Sequence, residues 1–351
     1  MASHDLEKKL QAYLNSENTN LTMEQNRLWF LLNLDKNYPA NHVVQFEIDE
    51  ELDISLLQIC LSDTIKHNPV LGTTFVNVSG KPIRKENDNV HIQLRSIDVL
   101  SENDFSQDSL LEQELSYTFD IEKGTLIRFV LVKHSALRHI LLVNASMLML
   151  DKQSIILLVK NLFYNYLAYL GGNDTYKSLF INEGANPLLL EKSGLRNTEE
   201  LTKNINFWRK KLSDLSPTEL MIDFVRPDVK NHENDSVTID ISSQSLHKLN
   251  IFLSKNEYNI GDALFCFFAI LLARYTQQMS ISIGVNYDLR NTYHSLEMIG
   301  QASNMVVKKI SLLEDHDFHS LMQSLQDQLN EEHQYYGLPF GYLLQKLPLK
   351  R

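Results

Sequence analysis

The stretch Ile140 to Ala145 is apolar at every position but Asn144. A run with no alternation reads as a strand in the middle of a sheet covered on both faces. Asp151 then opens a helix with Ile155, Leu158, Val159, Leu162 and Tyr166 on its inner face, and Gly171 and Gly172 stop it. A covered strand feeding an amphipathic helix places the chain in the α/β class.

The same order recurs along the sequence. Val44, Phe46 and Ile48 alternate with polar residues as in a half-buried strand, and a helix follows with Leu57, Cys60, Leu61 and Thr64 on one face, bounded by Pro69. Thr125 to Val132 reads as a further strand. From 171 to about 235 the chain is richer in Asn, Pro and charge, although Ile205 to Leu212 has the pattern of a helix. The pattern then restarts. Val237, Ile239 and Ile241 alternate with polar residues as a strand; helices follow at Gln244 to Leu253 and Ile260 to Tyr275, strands at Ile281 to Asn286 and Met305 to Ile310, and a helix at Phe318 to Glu332. Two similar α/β lobes are expected, 21–175 and 176–351, the second including a linker. Residues 1–20 form an N-terminal segment in which Leu6, Leu10 and Leu14 of Ser3 to Ser16 share one helical face, either a first packed helix or a docking element.

Bulk properties narrow the function. A chain of 351 residues with 43% hydrophobic and 22% charged residues has material for two cores. The formal net charge of -11 and the lack of a basic stripe argue against nucleic acid. The longest apolar run, Ala263 to Ala273, is too short to cross a bilayer, and the polar N-terminus has no apolar signal core. Cys60 and Cys266 are far apart in apolar helical patterns, which suits packed thiols in a reducing cytoplasm, and no metal-ligand spacing occurs.

Several strings then carry a resemblance. Leu21 to Leu31 (LTMEQNRLWFL), Lys66 to Phe75 (KHNPVLGTTF) and Phe119 to Arg128 (FDIEKGTLIR) are similar, in order and spacing, to three elements of the condensation domains of nonribosomal peptide synthetases. Gly72 stands where the family's second element has an arginine. Phe207-Trp208 with Leu212, Ile222 to Pro227, Gly284 to Arg290, Met298 to Asn304 and Leu338-Pro339-Phe340 match later elements, so the resemblance covers about residues 21 to 345. It implies a V-shaped pair of chloramphenicol-acetyltransferase-like lobes with a reaction tunnel between them. Its substrates would be thioesters on the phosphopantetheine arms of acyl or peptidyl carrier proteins, with no cofactor of the domain's own.

One position decides the expected activity. Working family members present His-His-x-x-x-Asp-Gly, the second histidine assisting amine attack on the thioester. Here the segment reads Ser146-Met147-Leu148-Met149-Leu150-Asp151-Lys152. A thioether is a weak acceptor without an exchangeable proton, so acid-base assistance is gone. Ser146 has no neighbouring signature for an activating base, and His134 and His139 lie before the strand, away from the family position. Lys152 puts a cation where the family has glycine, narrowing the tunnel. Asp151 is expected to pair with Arg290 across the lobes, a structural role, and Asn304 matches a tunnel-lining asparagine.

Family members continue beyond the Leu338-Pro339-Phe340 element, whereas these residues stop at Arg351. An incomplete second lobe is expected to expose strand edge and to self-associate or be completed by a neighbour; a chain boundary or a shortened closure are the alternatives. The leading reading is a catalytically inactive domain that binds a carrier protein or acts as a scaffold beside neighbouring synthetase domains, in a peptide or mixed polyketide assembly line. The second is an acyltransferase that works by positioning alone. A third is an interaction protein unrelated to synthetases.

Overall fold

The computed structural model describes residues 21–35, 38–87, 90–99, 105–173, 198–213, 215, 218–225, 237–290, 296–312 and 317–347. The amphipathic segment Ser3 to Ser16 and the end of the Ile222 to Pro227 element lie outside them. The chain divides into two compact units, the first comprising residues up to 201 with 288–304 and 338–345, the second 202–287, 305–337 and 346–351.

In the first unit, strands β1 (Asn41–Ile48), β4 (Leu94–Asp98), β5 (Ile127–Lys133) and β6 (His139–Ser146) form one sheet in the order β1-β6-β5-β4. Strand β6 runs antiparallel to both neighbours, and β4 is parallel to β5. Every residue of β6 is buried because each sheet face has its own cover. Leu141, Val143 and Ala145 pack under helices α2 (Ile54–Lys66) and α4 (Lys152–Leu170), with Leu57, Leu61, Ile155 and Leu158. Ile140 and Leu142 face the opposite way, against Leu110 of helix α3 (Gln107–Leu115). Burial from both sides is what erases the two-residue period.

Helix α1 (Met23–Leu34) starts at a capping box, in which the Thr22 hydroxyl accepts from the Gln25 N–H and the Gln25 side chain accepts from the Thr22 N–H. Strands β2 (Thr73–Val78) and β3 (Lys81–Glu86) form a hairpin around Ser79-Gly80, both at positive φ, 54° and 81°. The glycine that departs from the family pattern has a local reason: a Cβ on Gly72 would lie 2.1 Å from the Asn87 carbonyl oxygen.

The second unit holds helices α6 (Ser243–Lys255), α7 (Ile260–Thr276) and α8 (Phe318–Glu332), with most of helix α5 (Thr198–Lys211) and of the paired strands β7 (Ser280–Asp288) and β8 (Ser303–Ser311). Its core joins Leu253, Ala263, Cys266, Ile281, Ile310 and Leu325. Both cysteines are fully buried, and burial pushes each thiol up to about 11. The strand expected over Val237 to Ile241 is absent: residues 237–242 have no regular structure, and nothing among the described residues pairs with them. A strand needs a neighbour for its backbone groups, which alternation in sequence cannot supply. No described helix is by itself long and apolar enough to cross a membrane, and the described residues include no cluster that could hold a metal ion.

Candidate functional site

The end of β6 turns sharply at Ser146. The Met149 and Leu150 N–H groups both donate to the Ser146 carbonyl, at 3.0 and 3.1 Å, and the Met147 N–H donates to the Ala40 carbonyl at 2.7 Å. Gln25 holds the turn from outside, its Nε2 donating to the Leu148 carbonyl at 2.8 Å. Leu148, Met149 and Leu150 are buried, and partly buried Met147 packs against the same core. Ser146 is itself buried, and its hydroxyl accepts from the Leu148 N–H at 3.4 Å. Its backbone N–H goes to the Leu126 carbonyl. Among the described residues no base is bonded to that hydroxyl, which serves the turn.

Asp151 follows as the N-cap of α4, its Oδ1 accepting from the Ser154 N–H at 2.8 Å. Arg290 meets it with two parallel bonds, Nη2 to Oδ1 at 2.9 Å and Nη1 to Oδ2 at 3.0 Å, and the Ala302 N–H donates to Oδ2 at 2.9 Å. The guanidinium also donates to the Met298 carbonyl, Asp288 and the Ser154 hydroxyl. Arg290 is 1% exposed and Asp151 4%. Burial alone pushes the Arg290 guanidinium down, and the Asp151 and Asp288 carboxylates reverse this and leave it above its ordinary value. Both partners belong to the first compact unit. A carboxylate accepting four donor bonds, two of them from a permanent cation, is committed to structure.

The remaining sequence-derived residues are scattered. Lys152 is exposed on the first turn of α4. Asn304 is buried and used up at the backbone: its Nδ2 donates to the Leu338 carbonyl at 2.8 Å and its Oδ1 accepts from the Phe340 N–H at 3.0 Å. Thr22, Glu24, Gln301 and Phe340 join it around a cleft with room for about one water molecule. His139 starts β6 and His134 lies in the turn before it, both at the opposite end of the strand from Ser146.

Sequence reasoning missed His42. Register pairs it with Ala145 and pairs its neighbour Asn41 with Ser146, so an imidazole stands on the adjacent strand beside the motif. It shares a strand face with Val44 and Phe46, which pack toward α4. Burial pushes its pKa down, Asp151 opposes the shift and Lys152 adds to it. Its place in the alternation marked the face, but only cross-strand register brings it to a segment a hundred residues away.

Buried His139 is held down in the same way, by burial first and by Lys133 and His134 after it. Both histidines therefore prefer to be neutral in the folded protein, and the unfolded chain takes up protons first as pH falls. Their contribution is complete above the unfolded value of about 6.5 and is lost on acidification below it. The urea midpoint is expected to drop between about pH 6.5 and pH 5, and to drop less in His42→Gln/His139→Gln. An unchanged slope in the double variant would assign acid sensitivity elsewhere.

The profile of the family described as "Condensation domain" matches residues 15–351. This chain belongs to the condensation-domain family. The condensation-family chain is 27% identical over 338 residues to one of the linear gramicidin synthase proteins of Brevibacillus parabrevis, and 25% identical over 332 residues to enniatin synthase of Fusarium equiseti. It spans 94% and 92% of its own length in these matches, but only 7% and 10% of the relatives. Among solved structures, the first condensation domain of the calcium-dependent antibiotic synthetase with substrate analogue 2a matches with a TM-score of 0.80 at 16% identity, covering 91% of this chain and 76% of that one. The X-domain from teicoplanin biosynthesis matches with a TM-score of 0.75 at 21% identity, covering 94% and 74%. The α/β fold of this condensation-family chain is thus that of condensation domains, as its motif strings implied.

Proposed function

We propose that this condensation-family chain acts in a nonribosomal peptide or hybrid polyketide assembly line as a carrier-protein-interacting platform, without catalysing condensation. The observation that carries the reading is Met147 at the turn where the family has its histidine, beside an Asp151 fully engaged by Arg290 and backbone. The motif then serves to anchor α4, and the Met147 thioether has no proton to exchange with an attacking amine. The reading extends to the family's two chloramphenicol-acetyltransferase-like lobes, the second unfinished in these residues, to neighbouring synthetase domains as partners, and to a cytoplasmic setting. The fold neighbour from teicoplanin biosynthesis has also been solved as a complex of the X-domain and OxyB, which supports a role in holding a protein partner.

The test is to mix the protein with acyl-loaded carrier protein and an amine-bearing acceptor carrier, and to follow products by mass spectrometry and binding by calorimetry. Saturable carrier binding with no amide above the protein-free rate is expected. Catalysed amide formation would replace this reading with the second one, acyl transfer by positioning. That alternative is favoured by one feature, the His42 imidazole on the strand paired with the motif, opposite Ala145 and within the field of Asp151, and it requires His42→Gln to abolish the product.

A further inference from the structure

We draw no further inference here: the strongest candidate, the groove between helix α2 and residues 90–94 with Lys66 and His91 on its walls, carries none because nothing in the structure shows what fills it.

Discussion

Asp151→Ala is expected to cost about 3–5 kcal/mol of unfolding free energy, the effect of stripping one partner from a buried ion pair. The size follows from what would be left behind. Arg290 is 1% exposed, and without Asp151 its remaining carboxylate is Asp288, whose side chain is 42% exposed in contrast to the 6% of Asp151. The substitution also removes the N-cap of α4 and orphans the Ala302 N–H. Ordinary domains have only about 5–15 kcal/mol in total, so the urea midpoint should fall by a large fraction of its value. Arg290→Lys should be nearly as damaging, because an ammonium cannot reproduce two parallel bonds to Asp151 together with those to Met298 and Ser154. The apolar pair Asp151→Leu/Arg290→Met separates charge from packing: it removes both ions and should lose less than either single change. A double variant as unstable as the sum of the singles would mean that the two residues do not act as a pair.

The same contacts separate the positions of this segment by what holds them. Ser146 and Met147 have their backbone groups committed to Leu126 and Ala40 whatever their side chains are, so substitution there leaves the turn intact. Asp151 is used through its side chain, by four donors from three separate segments. Substitution is expected to cost the fold little at the first two positions and much at the last.

The parts of the fold legible in the sequence are those whose apolar period survives in a single segment. The helix expected from Phe318 to Glu332 is found over those residues because Leu321, Met322 and Leu325 mark one buried face and Asp317 caps it. Strand β6 is recognisable from a run that is apolar from Ile140 to Ala145 but for Asn144. Strand β3 is not, since Lys81–Glu86 is dominated by charge and buries only Pro82 among its residues. Helix α3 escapes for the same reason: Leu110 and Glu114 are its only buried residues, and Glu114 is buried against a cation, 3.0 Å from Arg128. Of the site, Asp151 and Arg290 came from their places in the family strings, whereas His42 depends on strand register, which no local pattern encodes. The region 237–241 failed in the opposite sense, with a clear strand period but no partner among the described residues.

Met147→His combined with Lys152→Gly is expected to raise amide formation from carrier-bound substrates by about 10²–10⁴-fold, the usual contribution of a positioned general acid-base group. The supporting geometry is already in place. The turn is fixed by the Met147 N–H to Ala40 and by Gln25 to Leu148, neither of which uses the Met147 side chain. Asp151 and Arg290 hold the start of α4 in either case, and Lys152 is exposed, so shortening it removes a cation without opening a core. The cation also matters electrically: Lys152 already depresses nearby His42, and it would hold a new imidazole at 147 in its neutral form to lower pH. Met147→His alone should therefore show its activity limb shifted to more acidic pH than the double variant. Single-turnover mass spectrometry across pH 5–9, a range of about two units on either side of neutrality, reads both the gain and the shift. Carrier binding with no gain in either variant would mean that these residues lack more of the reaction centre than one imidazole.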